Sequence, residues 1–222
     1  MRNVTPLRGV LVTDFDGTIT RNDFYQIVTE TLLPPGGLAP FHDYKAGTIT
    51  HFEALQRIFA ALRVTEVEIL AAVAKAEPEP ELASWIEKLA SIGWKVIVTS
   101  AGCQWYIDRI LSESNVDLAV HANPGRFDTH HGLLMEMPHG SRFVSEQYGI
   151  DKAAVVREMM AQGLQVAYAG DGMSDVAASL AVPDAMRFAR DDLARVLTRR
   201  GVSFRPFERW GEIAAAVYEM GS

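Results

Sequence analysis

Two short acidic clusters stand far apart in this chain, each directly behind an apolar run. Asp14-Phe15-Asp16-Gly17-Thr18 follows Val10–Thr13, and Gly170-Asp171-Gly172-Met173-Ser174-Asp175 follows Gln165–Ala169. If the backbone is still extended at the first cluster, Asp14 and Asp16 share a face and Phe15 points the other way, because side chains alternate with period two. Two carboxylates about 4 Å apart repel by roughly 4 kcal/mol at an effective dielectric of 20, so the pair needs compensation. An isolated Asp-x-Asp-Gly reads as a capped turn with Gly17 in the left-handed position. The second cluster weakens that reading, since glycines flank Asp171 and permit close approach of a ligand or ion. A dinucleotide loop would need a third glycine where Asp175 stands. A hard cation such as Mg2+, held by one or two carboxylates plus water and phosphate oxygens, is the simpler partner.

Ser100 follows the run Lys95–Thr99, and with Ala101 and Gly102 it offers a hydroxyl and free backbone donors at a third strand end. Lys152 stands beside Asp151 at a helix start, where a cation opposes the helix dipole by about 0.3–1 kcal/mol unless an anion lies nearby. Singly, the ordinary readings are a turn serine and a solvated lysine. Together they are coherent by charge: with Asp16 protonated and Asp14, Asp171 and Asp175 ionised, Mg2+ and Lys152 balance the set. Metal, lysine, Ser100 and helix N-termini could then receive the negative oxygens of a phosphoryl group.

The elements that must position these residues alternate. Val10–Thr13, Lys95–Thr99, Val116–Val120, Gln165–Ala169 and Ala185–Ala189 read as strands buried on both faces, with helices at Pro80–Ile92 and Asp151–Gln162 between them. Such alternation predicts an α/β fold with a parallel sheet, whose ligands bind at the carboxyl ends of the strands. One stretch breaks the pattern. Between the first two strands the spacing predicts about three helices, two of them opened by the capping boxes Thr50-x-x-Glu53 and Thr65-x-x-Glu68. Residues 20–84 therefore read as an inserted helical domain, leaving 1–19 and 85–222 as the core. Pro34-Pro35-Gly36-Gly37 is a turn within the insertion.

The chain has 222 residues and a formal charge of -7, from 21 Lys plus Arg against 28 Asp plus Glu. This balance disfavours a nucleic-acid partner, which needs a basic face. No apolar run approaches the ~20 residues of a membrane helix, and the Met1–Arg8 segment does not read as a secretory leader. A single cysteine, Cys103, excludes an internal disulfide and a multi-thiolate metal site, which suits a cytoplasmic location. His121, His130, His131 and His139 match no metal-binding spacing and read as hydrogen-bonded or solvated.

In chain order, D-x-D-G-T at Asp14–Thr18, Ser100 behind the second strand, Lys152 at a helix start and G-D-G-x-x-D ending at Asp175 resemble the four motifs of the haloacid dehalogenase (HAD) superfamily. The resemblance implies a Rossmann-like core with the insertion as a type 1 cap. It makes Asp14 a nucleophile that forms an aspartyl-phosphate, and Asp16 the acid and base for leaving group and water. It places Mg2+ on Asp14, Asp171 and the Asp16 carbonyl, supported by Asp175, with Ser100, Ala101 and Lys152 on the phosphoryl oxygens. Asp23 and Arg57 are its candidates for contacting the leaving group.

Within the superfamily the chain resembles the phosphoserine phosphatase-like branch, and there the 2-hydroxy-3-keto-5-methylthiopentenyl-1-phosphate phosphatases of methionine salvage. Asp14–Thr20 with Asn22-Asp23, Glu136-Met137-Pro138-His139, Phe188-Ala189-Arg190-Asp191 and Pro206-Phe207 carry that likeness. It differs in having no cysteine in Ser141–Ile150, and in Asp23 where phosphoserine phosphatases usually place Glu. The expected activity is Mg2+-dependent hydrolysis of a small phosphorylated metabolite. The alternatives are a phosphoserine phosphatase or related phosphotransferase, and a non-catalytic phosphate- or metal-binding protein.

Overall fold

The computed structural model describes residues 6–221; residues 1–5, which hold most of the segment read for a leader, and Ser222 lie outside the described residues. A six-stranded parallel sheet forms the centre, in the order β10 (Arg205–Pro206), β9 (Arg187–Ala189), β8 (Gln165–Gly170), β1 (Gly9–Thr13), β2 (Trp94–Cys103), β3 (Ala119–Asn123). β1 lies in the middle, and every one of its residues is buried. Its alternating side chains serve two cores. Leu11 packs with Val96, Val98 and Ala167 toward α5 (Leu82–Ser91) and α10 (Trp210–Gly221), whereas Val10 and Val12 join Ile97, Val166 and Tyr168 against α7 (Lys152–Ala161) and α8 (Val176–Ala181). Burial on both faces explains why these strands read as unbroken apolar runs.

Two strands are displaced from their expected positions. The third strand occupies 119–123 rather than 116–120, because Asn115 adopts a left-handed φ of 55° and the Val116 amide bonds back to Leu111 to close α6 (Gln104–Glu113). The fifth keeps only Arg187–Ala189, since Asp184–Met186 forms one 3-10 turn behind Pro183. α5 starts at Leu82, two residues past Pro80, because the Glu79 amide bonds to Ile19 and Pro78 bridges Thr20. That bridge holds the stretches around Thr20 and Pro78 side by side.

Between Thr20 and Pro78 run four helices, one more than the spacing predicted: α1 (Phe24–Thr31), α2 (Ala39–Lys45), α3 (His51–Ala60) and α4 (Glu66–Ala74). Both capping boxes form, at Thr50 with Glu53 and at Thr65 with Glu68. The unforeseen helix is α2, which follows the Pro34–Gly37 turn and buries none of its residues. α3 rests on two antiparallel hairpins of the core. Gln56 donates to Met135 of the first, β4 (Gly125–Asp128) with β5 (Gly132–Met135). The Phe52 amide donates to Gln147, in the turn of the second, β6 (Val144–Ser145) with β7 (Gly149–Ile150).

The register between β2 and β3 shifts between Thr99 and Cys103, which frees Ser100-Ala101-Gly102 from regular pairing. Fully buried Asn123 holds this loop: its Nδ2 donates to the Ala101 carbonyl (2.8 Å) and the Tyr148 carbonyl (3.1 Å). Gly149, at φ +82°, packs so closely that a Cβ would fall 1.7 Å from Asn123 Oδ1. Asn123→Ala is expected to cost about 1–3 kcal/mol in urea unfolding, because two buried carbonyls lose their donor. An unchanged midpoint would show that this amide does not secure the loop.

Candidate active site

The three chemistry-bearing loops issue from the carboxyl ends of the neighbouring strands β8, β1 and β2, where a parallel sheet gathers its ligands. The Asp14 amide still donates to Ala169 at 2.8 Å, so the first loop leaves β1 in register with β8. Phe15 turns into the core and is fully buried. Gly17 then takes φ +68°, and a Cβ there would lie 2.3 Å from Asp171 Oδ2. Glycine is thus required twice, for its backbone angle and for the approach of the two acidic loops.

Asp14, Asp171 and Asp175 each present an oxygen within 4.8 Å of the others. Lys152, at the first position of α7 and buried to 3% exposure, donates at 2.7 Å to both Asp14 Oδ1 and Asp175 Oδ1. Asp175 is fully engaged. Its Oδ1 also accepts from the Tyr168 hydroxyl at 2.5 Å, and its Oδ2 accepts from the amides of Asp171 (3.1 Å) and Gly172 (2.8 Å). Asp175 therefore fixes Lys152 and the second acidic loop. The Asp171 carboxylate accepts no protein hydrogen bond among the described residues.

Electrostatics separates these carboxylates. Burial, and then the charge of Asp175, push the Asp14 carboxyl up to about 7 against the opposing pull of Lys152 and the Phe15 amide. Burial followed by the charges of Asp14 and Asp175 raises Asp171 well above the carboxylate range. One lysine does not balance the cluster, and hard oxygen donors at this spacing suit a divalent cation. Asp14 and Asp171 have the oxygens that could hold it.

The Asp16 side chain is committed elsewhere: Oδ1 accepts from the Phe24 amide at 3.1 Å and Oδ2 from the Tyr106 hydroxyl. Burial, then the nearby Asp23 charge, raise its pKa well above that of an ordinary carboxyl, and Asp14 adds to this while Tyr106 opposes it. Asp16 and Asp14 thus have different partners, Asp16 the Phe24 amide and Tyr106, Asp14 the buried ammonium of Lys152.

Asp14, Asp16, Lys152 and Asp171 line a cavity of about 490 Å³, together with Ser100, Ala101, Asp23, Tyr25, Tyr44 and His51. Ser100 is buried, and its Oγ accepts from the Gly102 amide at 2.9 Å. Asp23 caps α1 by accepting from the Tyr25 amide at 2.7 Å. Arg57 is a correction. It lies outside the cavity wall, half exposed and 4.0 Å from Glu53, because it stands opposite the buried stripe Phe52, Leu55, Ile58 and Phe59. None of His121, His130, His131 and His139 belongs to the acidic group: His130 and His131 cradle Asp128 at the β4–β5 turn, and His121 packs on Phe143. Tyr106 and Tyr168 escaped sequence reasoning, since apolar surroundings make both look like core aromatics.

The profile of the haloacid dehalogenase-like hydrolase family matches residues 11–179. A 2-hydroxy-3-keto-5-methylthiopentenyl-1-phosphate phosphatase from Bacillus velezensis is 26% identical over 220 residues, covering 98% of this chain and 92% of that protein. Among solved structures, a HAD family hydrolase from Salmonella enterica serovar Typhi superposes with a TM-score of 0.71 at 15% identity, covering 97% of this chain and 72% of the other. A substrate-bound phosphoserine phosphatase gives a TM-score of 0.64 at 17% identity, over 94% of this chain and 97% of that one.

Because the cluster is overcharged, Asp171→Asn is expected to raise the melting temperature in chelator by ~2–8 °C, corresponding to about 1–2 kcal/mol. Millimolar MgCl2 is expected to raise the melting temperature of the parent protein and not that of this variant. Calorimetry with and without the ion checks both; a variant destabilised in chelator contradicts the charge argument.

Proposed function

This chain belongs to the haloacid dehalogenase-like hydrolase family, and we propose that it is a Mg2+-dependent phosphomonoesterase acting on a small phosphorylated metabolite. The observation that carries the reading is a buried Asp14 bonded to Lys152, beside an Asp16 whose environment keeps its proton. The substrate proposed first is 2-hydroxy-3-keto-5-methylthiopentenyl-1-phosphate, the compound named for relatives aligned over 91–98% of this chain. Residues 20–84 act as the cap that closes over a core formed by 1–19 and 85–222. The cytoplasm is the proposed location, where the buried thiol of Cys103 stays reduced.

An Asp14 oxygen attacks phosphorus in line with the ester oxygen, forming the aspartyl-phosphate bond as the ester bond breaks. The Asp16 proton passes to the departing alkoxide. The resulting Asp16 carboxylate, oriented by Tyr106 and the Phe24 amide, then takes a proton from water as the water oxygen attacks the intermediate. Phosphate leaves, and both aspartates return to their starting states. Lys152 keeps Asp14 oriented and adds positive charge beside the phosphoryl oxygens, and Ser100 with the Ala101 backbone supplies further donors. Mg2+, when held by Asp14, Asp171 and the Asp16 carbonyl, neutralises phosphoryl charge as a Lewis acid. Asp175 positions Lys152 rather than touching substrate.

Asp14→Asn is expected to lower kcat on an aryl phosphate by at least ~10³-fold, and Asp16→Asn by roughly 10²–10⁴-fold, with both folds intact by circular dichroism. Chelation should stop turnover. Undiminished turnover by Asp14→Asn would eliminate the covalent route. Among metabolites, the methionine-salvage ester should exceed phosphoserine in kcat/KM; the reverse order would make this a phosphoserine phosphatase, and inactivity on every ester a binding protein.

A further inference from the structure

His51 opens α3 on the cap side of the cavity, at the seam with the core. Its ring stands between Tyr44 of the insertion and Tyr148 of the core, with centroids 5.3 Å from each. Its Nδ1 is buried and has no hydrogen-bond partner. Burial first, and then the charges of Lys152 and Lys45, hold its pKa down to about 4. The ring is therefore neutral near pH 7, with one N–H to donate and one lone pair to accept. Buried polar atoms are paired in nearly all folded proteins, and an unpaired one in a cavity wall is a place for a ligand atom.

The walls around it set the rest of the ligand. Phe41, Tyr44, Leu55 and Phe59 give the cap side an apolar lining. Charged side chains line the same cavity as well, among them Asp191, Asp192 and Arg195. Asp23 spends an oxygen on the α1 cap, and Arg57 points outward to Glu53. Lys45 is exposed, with its Nζ 5.1 Å from the centroid of the Phe41 ring, at the outer edge of the wall.

We propose that His51 is a specificity-determining residue that hydrogen-bonds an oxygen on the leaving group, and that the leaving group is a chain with an apolar end. The proposal rests on the phosphomonoesterase reading and narrows its substrate class. A hydroxyl or carbonyl oxygen gives the imidazole the partner the protein withholds. The apolar end then lies against the aromatic side of the cap. Because Tyr148 and the Phe52–Gln147 bond tie His51 to the core, such a ligand is held only when the cap is docked.

The test compares pentyl phosphate with 2-oxopentyl phosphate, which differ by one carbonyl oxygen, and adds phosphoserine. The parent enzyme should favour the oxo ester in kcat/KM by about 10–100-fold. His51→Leu should shrink that preference to within about twofold by lowering kcat/KM for the oxo ester more than for pentyl phosphate, and His51→Gln should retain part of it. The proposal is overturned if the parent enzyme shows no preference, if phosphoserine is the best of the three, or if His51→Leu slows both esters equally. Failure to hydrolyse any ester would remove the phosphatase reading itself, and this proposal with it.

Discussion

Everything at this site follows from placing several carboxylates in one dry volume with a single buried lysine. Lys152 contacts Asp14 and Asp175 at 2.7 Å each, and its charge is spent between them. Asp171 receives no such partner, and a cation held by this group would offset the repulsion among its carboxylates. Buried ion pairs repay their desolvation only with good geometry and full hydrogen bonding. Asp175, bonded to Lys152, Tyr168 and two backbone amides, meets that condition, whereas Asp14 and Asp171 do not. The protein thus completes the hydrogen bonding of one carboxylate, Asp175, and leaves Asp14 and Asp171 with fewer partners.

The sheet makes that crowding possible. Parallel pairing of β1 with β2 and β8 brings residues about 85 and 155 positions apart to one edge, as Thr13 pairs with Val98 and Ala169. Loops leaving that edge inherit the spacing of the strands, and Gly17 and the register shift after Thr99 supply the remaining local adjustments. The hydrophobic side chains of β1, divided between two cores, hold the edge rigid from both faces. Rigidity matters here because the charged groups would otherwise relax apart.

The central part of this arrangement was legible in the amino-acid sequence for a simple reason. Strands buried on both faces are continuous apolar runs, and carboxylates directly behind such runs have few structural explanations. Lys152 was legible only through its companions. Tyr168 and Tyr106 were not, because a hydroxyl that bonds a buried carboxylate comes on a side chain that is also ordinary core material. Arg57 failed for the opposite reason: helical spacing fixes which residues share a face, but not which face meets the cavity. The displaced third strand reflects Asn115, whose left-handed turn no apolar pattern announces.

Division of labour between core and insertion follows from these differences. The core contributes groups whose positions depend on backbone pairing, and therefore on features an extended pattern reveals. The insertion contributes α1 to α4, whose cavity-facing residues depend on how helices pack over the sheet edge. The two meet at Asp16 and His51. Asp16 accepts from the α1 amide of Phe24 and from Tyr106 of α6, so its side chain is set by both parts at once. His51 is wedged between a ring from each. The positions of Asp16 and His51 therefore depend on how α1 to α4 pack over the sheet edge, whereas that of Asp14 depends on the pairing of β1 with β8.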